Sequence, residues 1–316
     1  TIGTTFKPDL VWTKPRSNVG GNIINDSVRG ASLYLTTNTT NAELTDANYL
    51  TSFNSNGFSL GSTNFTNGYT MVGWQWNAGS GSSSSNTNGS ITSTVSVNQT
   101  AGFSVVTYTG NGVSNATVGH GLGVAPSMVI VKGRFATNWS VYHSALTSAA
   151  TSILILNSTG AVVGSLPSYW NSTAPTSSVF SLGTDSNVNG TNAAGLVAYC
   201  FAAIPSYSAF GSYTGNGSSD GPFIYCGFRP RYILVKMSSG VQDWVVQDSA
   251  RQPYNDGYRH ALFPDLADAE YVDAYPTDFL SNGFKPRTSG NGVNASGSTY
   301  IYAAFAENPF KYSLAR

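Results

Sequence analysis

Charge is scarce in this sequence. Only 9% of residues are Asp, Glu, Lys or Arg, about a third of the share usual in soluble domains. Fifteen basic and fifteen acidic side chains balance to zero, which leaves no broad basic face for nucleic acid. Carboxylates are missing from the 138 positions between Asp46 and Asp185, and ten of the fifteen lie at or after Asp220. That barren stretch cannot by itself supply an acid/base pair or an oxygen cage for a hard cation. Cys200 and Cys226 are the only cysteines, and His120, His143 and His260 the only histidines. These are too few for a structural Cys/His zinc site. No run approaches the ~20 continuous apolar residues of a spanning helix, so no membrane span is expected. Thr1 is not an initiator and no signal-peptide pattern stands at the start, so the chain reads as a processed or partial product.

What the chain does hold is turn-prone and aromatic. Ser, Thr and Asn number 103, Gly adds 34, and aromatics stay at 13%. A disordered chain would be poor in aromatics and rich in charge. The mixture predicts an all-β protein, with β-branched and aromatic residues in strands and Asn, Gly and Ser in turns.

An internal repeat organises it. Pro8-Asp-Leu-Val-Trp-Thr-Lys14, Pro126-Ser-Met-Val-Ile-Val-Lys132 and Pro230-Arg-Tyr-Ile-Leu-Val-Lys236 share one Pro-to-Lys spacing. Asp26-Ser-Val-Arg29, His143-Ser-Ala-Leu146 and Asp248-Ser-Ala-Arg251 follow, then Asn56-Gly-Phe58, Val179-Phe180 and Asn282-Gly-Phe284. Each copy closes on an aromatic strand: Tyr69 to Trp76, Gly195 to Phe201, and Tyr300 to Phe305. The second and third copies also share an opening strand, Phe103 to Gly112 and Phe210 to Gly217, each ending in a Gly-Asn-Gly hairpin signal. The first copy has none. Either the chain extends further N-terminally, or another molecule supplies that strand.

The division this predicts is a first repeat at 1–78 lacking its opening strand, a Gly/Ser linker at 79–90 flexible by composition, a second repeat at 91–204 and a third at 205–316. Strict alternation puts Phe103, Val105, Thr107 and Thr109 on one face and Ser104, Val106 and Tyr108 on the other. The expected fold is three tandem antiparallel, jelly-roll-like β-sandwiches. Glu43 to Phe53 is the one helix candidate.

Few residues invite chemistry. Gly119-His-Gly-Leu-Gly123 resembles a phosphate loop, but Pro126 opens a strand where a helix should follow, so it reads as a turn. Asp185-Ser-Asn-Val-Asn-Gly190 matches half a calcium loop, with Leu196 in place of the closing Glu. His143 stands where the other copies have Asp, which suits a polar strand-end contact better than a general base. No Ser sits in a nucleophile elbow. Asp265, Asp268, Glu270, Asp273 and Asp278 crowd one loop. They could supply a glycosidase pair, oriented by Asp248 and Arg251, but read better as a solvated acidic loop. Lys14, Lys132 and Lys236 read as strand-end lysines that deter edge aggregation, or as binders of anionic sugars. Trp139 and Trp244 read as core. Cys200 reads as a small buried apolar group, with a Cys200–Cys226 bridge the lesser option. No catalytic residue, metal ligand or cofactor is expected.

These blocks resemble a repeated domain of tailed-bacteriophage virion proteins, notably of marine and cyanobacterial phages. The telling stretches are Phe6 to Trp12, Ala101 to Gly112, Val118 to Pro126, Asp220 to Phe228 and Tyr302 to Phe310. The resemblance implies a tail-fibre or capsid-surface appendage at the virion surface, without a catalytic motif to carry over. The leading expectation is a non-enzymatic structural protein that contributes to host-surface attachment. Its expected partners are further copies of itself, as in a trimer, other virion proteins, and a host-surface glycan. The alternatives are a depolymerase using the acidic loop of the third repeat, and an extracellular filament-forming protein.

Overall fold

The computed structural model describes residues 2–62, 68–257, 260–272 and 275–309. The described chain is all-β, with antiparallel ladders throughout and only short helical turns. Its strands begin with β1 (Ile2–Gly3), β2 (Leu10–Pro15), β3 (Ile23–Asp26), β4 (Leu33–Thr36), β5 (Leu44–Thr45), β6 (Leu50–Asn54), β7 (Gly57–Leu60) and β8 (Met71–Trp76). Next come β9 (Ser84–Asn86), β10 (Ser93–Asn98), β11 (Phe103–Tyr108), β12 (Ala116–Gly119), β13 (Met128–Gly133), β14 (Trp139–His143), β15 (Leu154–Ile155), β16 (Val179–Leu182) and β17 (Leu196–Phe201). The last are β18 (Ser208–Thr214), β19 (Ile224–Tyr225), β20 (Pro230–Met237), β21 (Trp244–Asp248), β22 (Thr277–Leu280), β23 (Gly283–Pro286) and β24 (Thr299–Ala306).

Three larger sheets run β5-β4-β3-β2-β8, β15-β14-β13-β17-β11-β10-β9 and β18-β24-β20-β21. Smaller sheets, β1-β7-β6, β12-β16 and β19-β23-β22, accompany them. The three Pro-to-Lys strands β2, β13 and β20 lie inside the large sheets, each against its closing strand in one register. Leu10 faces Trp76, Met128 faces Phe201 and Tyr232 faces Phe305; Lys14 faces Val72, Lys132 faces Val197 and Lys236 faces Ile301.

The central strands of the large sheets are buried on both faces, which is why β13 and β17 are apolar almost without interruption. On β11, Val106 and Tyr108 join a core beneath the small sheet, while Phe103 and Val105 point into a second core. That second core is common to all three large sheets. Trp76, Phe201 and Phe305 meet in it as a triangle, with ring centroids 5.7 to 6.2 Å apart and steeply inclined planes. Such edge-to-face pairs contribute about 0.5–1.5 kcal/mol each beyond area burial. The sheets therefore do not follow one another as separate beads; they close on a shared centre.

The closure is cyclic. Glu43 N donates to the Arg134 carbonyl at 3.0 Å, Val162 N to Ser238 at 2.9 Å and Glu270 N to Arg16 at 2.8 Å. Thr137 N donates to Thr40, Gln242 N to Thr159 and Gly20 N to Ala267. The first sheet thus meets the second, the second the third, and the third the first, through one pattern.

Three local expectations change. Glu43 to Phe53 forms no helix: β5 and β6 occupy it, because sheet pairing outweighs a weak helical preference. The Gly/Ser stretch is bound. Asp9, fully buried, accepts from the backbone N–H groups of Ala78, Ser80 and Gly81 at 2.6 to 2.8 Å, and Ser84–Asn86 pairs as β9. The Gly-Asn-Gly segments are not hairpins. They carry the chain from a large sheet to a small one, with Gly112 and Gly217 at φ +68° and +65°. Asn189 and Asn294 clamp them, each accepting from the loop backbone through its side-chain oxygen.

Candidate functional site

The three repeat lysines occupy central strands and are fully buried, so they guard no sheet edge. Lys14 donates to the Gly20 carbonyl and to Leu266 of the third-sheet region. Lys132 donates to Gly133, Phe135 and Thr137. Lys236 donates to Met237 and to Thr159 of the second. Burial pushes each ammonium down to about 8, against the opposing pull of Asp268, Glu43 or the Asp243 and Asp265 pair.

Trp139 and Trp244 are core residues, as expected, and their indoles also cross between sheets. Trp139 Nε1 donates to the Thr36 carbonyl at 2.9 Å and Trp244 Nε1 to Ile155 at 3.0 Å. At the matching place the first sheet has Asn22, whose Nδ2 donates to the carbonyls of Phe263 and Leu266.

Two of the three joints carry ion pairs. At the first, Arg29 pairs with Asp26 at 2.5 Å and with Glu43 at 2.8 Å, while Arg134 grips Glu43 from the second sheet at 2.6 Å. Tyr199 donates to Asp26 at 2.7 Å. At the other, Arg251 pairs with Asp248 and Glu270, both at 2.6 Å, and Arg16 grips Glu270 from the first sheet at 2.7 Å. Trp74 Nε1 donates to Asp248 at 3.0 Å. Burial opposes the charged forms of Arg29, Asp248 and Glu270, but their partners outweigh it. Arg29 is shifted upward and the two carboxylates downward. The third joint carries His143, Leu146, Val162 and Ser238 at the matching places. Burial pushes His143 down to about 4, and its ring nitrogen meets the Tyr302 carbonyl at 3.1 Å.

The acidic loop is accordingly not one solvated cluster. Glu270 sits in the ion-pair network, and Asp278 is paired with Arg287. Asp265 is buried, accepting from Trp244 N. Burial and the neighbouring Asp243 push its carboxyl up to about 7. Asp268 lines an open depression with Val19 and Tyr271. Asp273 lies outside the described residues. Asp185 caps a helical turn, Ser186–Asn189, by accepting from Asn187 N. His120 is buried in its turn, against the Thr176 carbonyl and Leu122 N. Cys200 and Cys226 are both free, with no bridge, and Cys200 is buried as a small apolar group. Among the described residues no group of three His, Cys, Asp or Glu could hold a metal, and no helix is long and apolar enough to cross a membrane.

A groove of about 750 Å³ lies beside β8, lined by Thr4 to Phe6, Val72 to Trp76, Tyr207, Tyr232 and Phe305, with Arg231 and Glu307 also bordering it. Sequence reasoning missed the ion-pair joints. A signal existed: Arg16 and Arg134 each stand two places after a repeat lysine, where the third copy has Ser238.

Fold and contacts define an all-β protein whose ionisable groups join its sheets. The chain belongs to the family described as Domain of unknown function (DUF7483), whose model matches residues 1–309. No curated protein and no solved structure matches it.

Proposed function

We propose that the chain is a structural component of a tailed-phage virion appendage, a tail or capsid-surface fibre, which contributes to attachment at the host surface and carries no catalytic centre. The observation that carries this reading is the use of the repeat's own lysines, aspartates and arginines as buried joints between sheets. Such a construction favours a rigid, neutral body over a reactive cleft, and it agrees with the resemblance to virion proteins. On the same reading the chain is three tandem sandwich repeats at 1–78, 91–204 and 205–316, arranged cyclically. Its partners are further copies, other virion proteins and a neutral host glycan, with many weak contacts multiplied by avidity. The test is immunogold labelling of purified particles with antibody to this chain. Gold on an external appendage is expected; particles free of the chain by labelling and mass spectrometry would overturn the proposal.

A further inference from the structure

We propose that the outer edge of β8 accepts an extended peptide strand of the β11 type from a partner polypeptide, which completes the first large sheet. β17 carries β11 on the edge away from β13, and β24 carries β18 on the edge away from β20. β8 holds the same place beside β2, and among the described residues no strand lies on its other side.

The phase of the ladder shows what that edge offers. Arg16 N donates to Thr70 O at 2.8 Å. Hydrogen-bonded residues alternate along an antiparallel pair, so Val72, Trp74 and Trp76 bond toward β2. The N–H and C=O groups of Met71, Gly73 and Gln75 then face outward. In the second sheet Ala202 N donates to Gly102 O at the corresponding phase, which assigns Leu196, Ala198 and Cys200 to β11. An open row of this kind invites a strand.

The surroundings specify the occupant. The groove runs along β8 and is continuous with the shared core through Trp76, Tyr232 and Phe305. Phe103 and Val105 of β11 enter that core opposite Phe201 and Tyr199, and Phe210 of β18 packs on it opposite Ala303. Apolar side chains opposite Trp76 and Trp74 would do the same. Asp248 in the groove wall is neutralised by Arg251, and Glu307 by Arg229. The occupant should therefore be uncharged, as β11 and β18 both are. Small residues fit opposite Gln75, where β11 and β18 place Ser104 and Ala209 at the corresponding positions.

The inference rests on the correspondence between the sheets and not on the virion reading. Its test adds a synthetic peptide with the sequence of residues 101–112, or a scrambled version, to the whole chain and follows backbone hydrogen exchange. Expected is saturable binding of the native peptide alone, with exchange at Gly73 and Gln75 slowed about tenfold or more. Gly73→Pro removes one outward N–H without removing a donor to β2 and should abolish binding; its Cβ comes within 3.2 Å of the buried Phe58 ring, so some loss of stability is expected with it. If Gly73→Pro unfolds the chain, the wild-type exchange footprint decides alone. Amides at Gly73 and Gln75 already protected without peptide, or equal binding of the scrambled peptide, would overturn the proposal. So would concentration-dependent dimerisation that protects the same amides, since it assigns the edge to a second copy. A footprint on β9 or β21 instead would refute the correspondence itself.

Discussion

Arg134 and Glu43 form a bidentate ion pair between two large sheets, Nε and Nη2 both within 3.1 Å of the carboxylate. Arg16 and Glu270 repeat it at a second joint. The third joint keeps the same backbone bond, Val162 N to Ser238 O, without an ion pair.

Glu43→Gln should cost about 1.5–3 kcal/mol, because the fully buried Arg29 keeps Asp26 but loses its charge-assisted bond to Glu43, and Arg134 loses its partner as well. Replacing the whole joint by its neutral counterpart, Asp26→His, Arg29→Leu, Glu43→Val and Arg134→Ser together, should cost far less, since an apolar substitute removes the desolvation penalty along with the pair. Urea denaturation of both variants checks the order; a quadruple variant less stable than Glu43→Gln would contradict it.

Asp265 makes stability depend on pH. Its carboxyl is raised to about 7 in the fold by burial and by Asp243, against about 3.9 unfolded. The folded state therefore holds the proton more tightly, and this contribution is full below pH ~4 and lost as pH rises to about 7. The corresponding position in the second sheet region is Asn157, which accepts from Trp139 N as Asp265 does from Trp244 N. Asp265→Asn should flatten the decline and raise the melting temperature at pH 8. Parallel pH profiles for wild type and variant would refute the assignment.

Acylation with a water-soluble reagent at pH 7.5 should modify Lys285 and spare Lys14, Lys132 and Lys236, all three fully buried. Peptide mapping by mass spectrometry reads the sites. Modification of the three in the native state would restore a ligand-facing role.

Asp9→Ala should free the Gly/Ser segment. Three backbone donors and the Ser27 hydroxyl lose their acceptor; bonds to a charged group are worth about 1.5–3 kcal/mol each. Exchange at Ala78, Ser80 and Gly81 should rise well ahead of global unfolding. Unchanged protection there would mean that the segment holds without Asp9.

The strands and their order were legible because the repeat aligned Lys14, Lys132 and Lys236 and because alternation runs clean along β11. The burial of those lysines was not. A strand-end Lys looks solvated until a neighbouring sheet brings carbonyls such as Leu266 and Thr159 onto its head group. Likewise Glu270 looked like one of five loop carboxylates, because its partner Arg16 lies 254 positions away. Glycine and serine predicted a slack linker at 79–90, and composition carries no trace of a single buried Asp9 that ties it down.

Two joints with ion pairs and one without also make the ring directional. Three sheets of similar shape could close in either circular order. The first sheet presents Asp26, Arg29 and Glu43, a surplus of one negative charge, and the Arg134 guanidinium of the second sheet cancels it with hydrogen bonds from Nε and Nη2. Reversing the order would set Ser238 against Glu43 and bury Arg16 against Val162. The charge pattern thus works as an address: it favours the observed circular order of the sheets over its reverse.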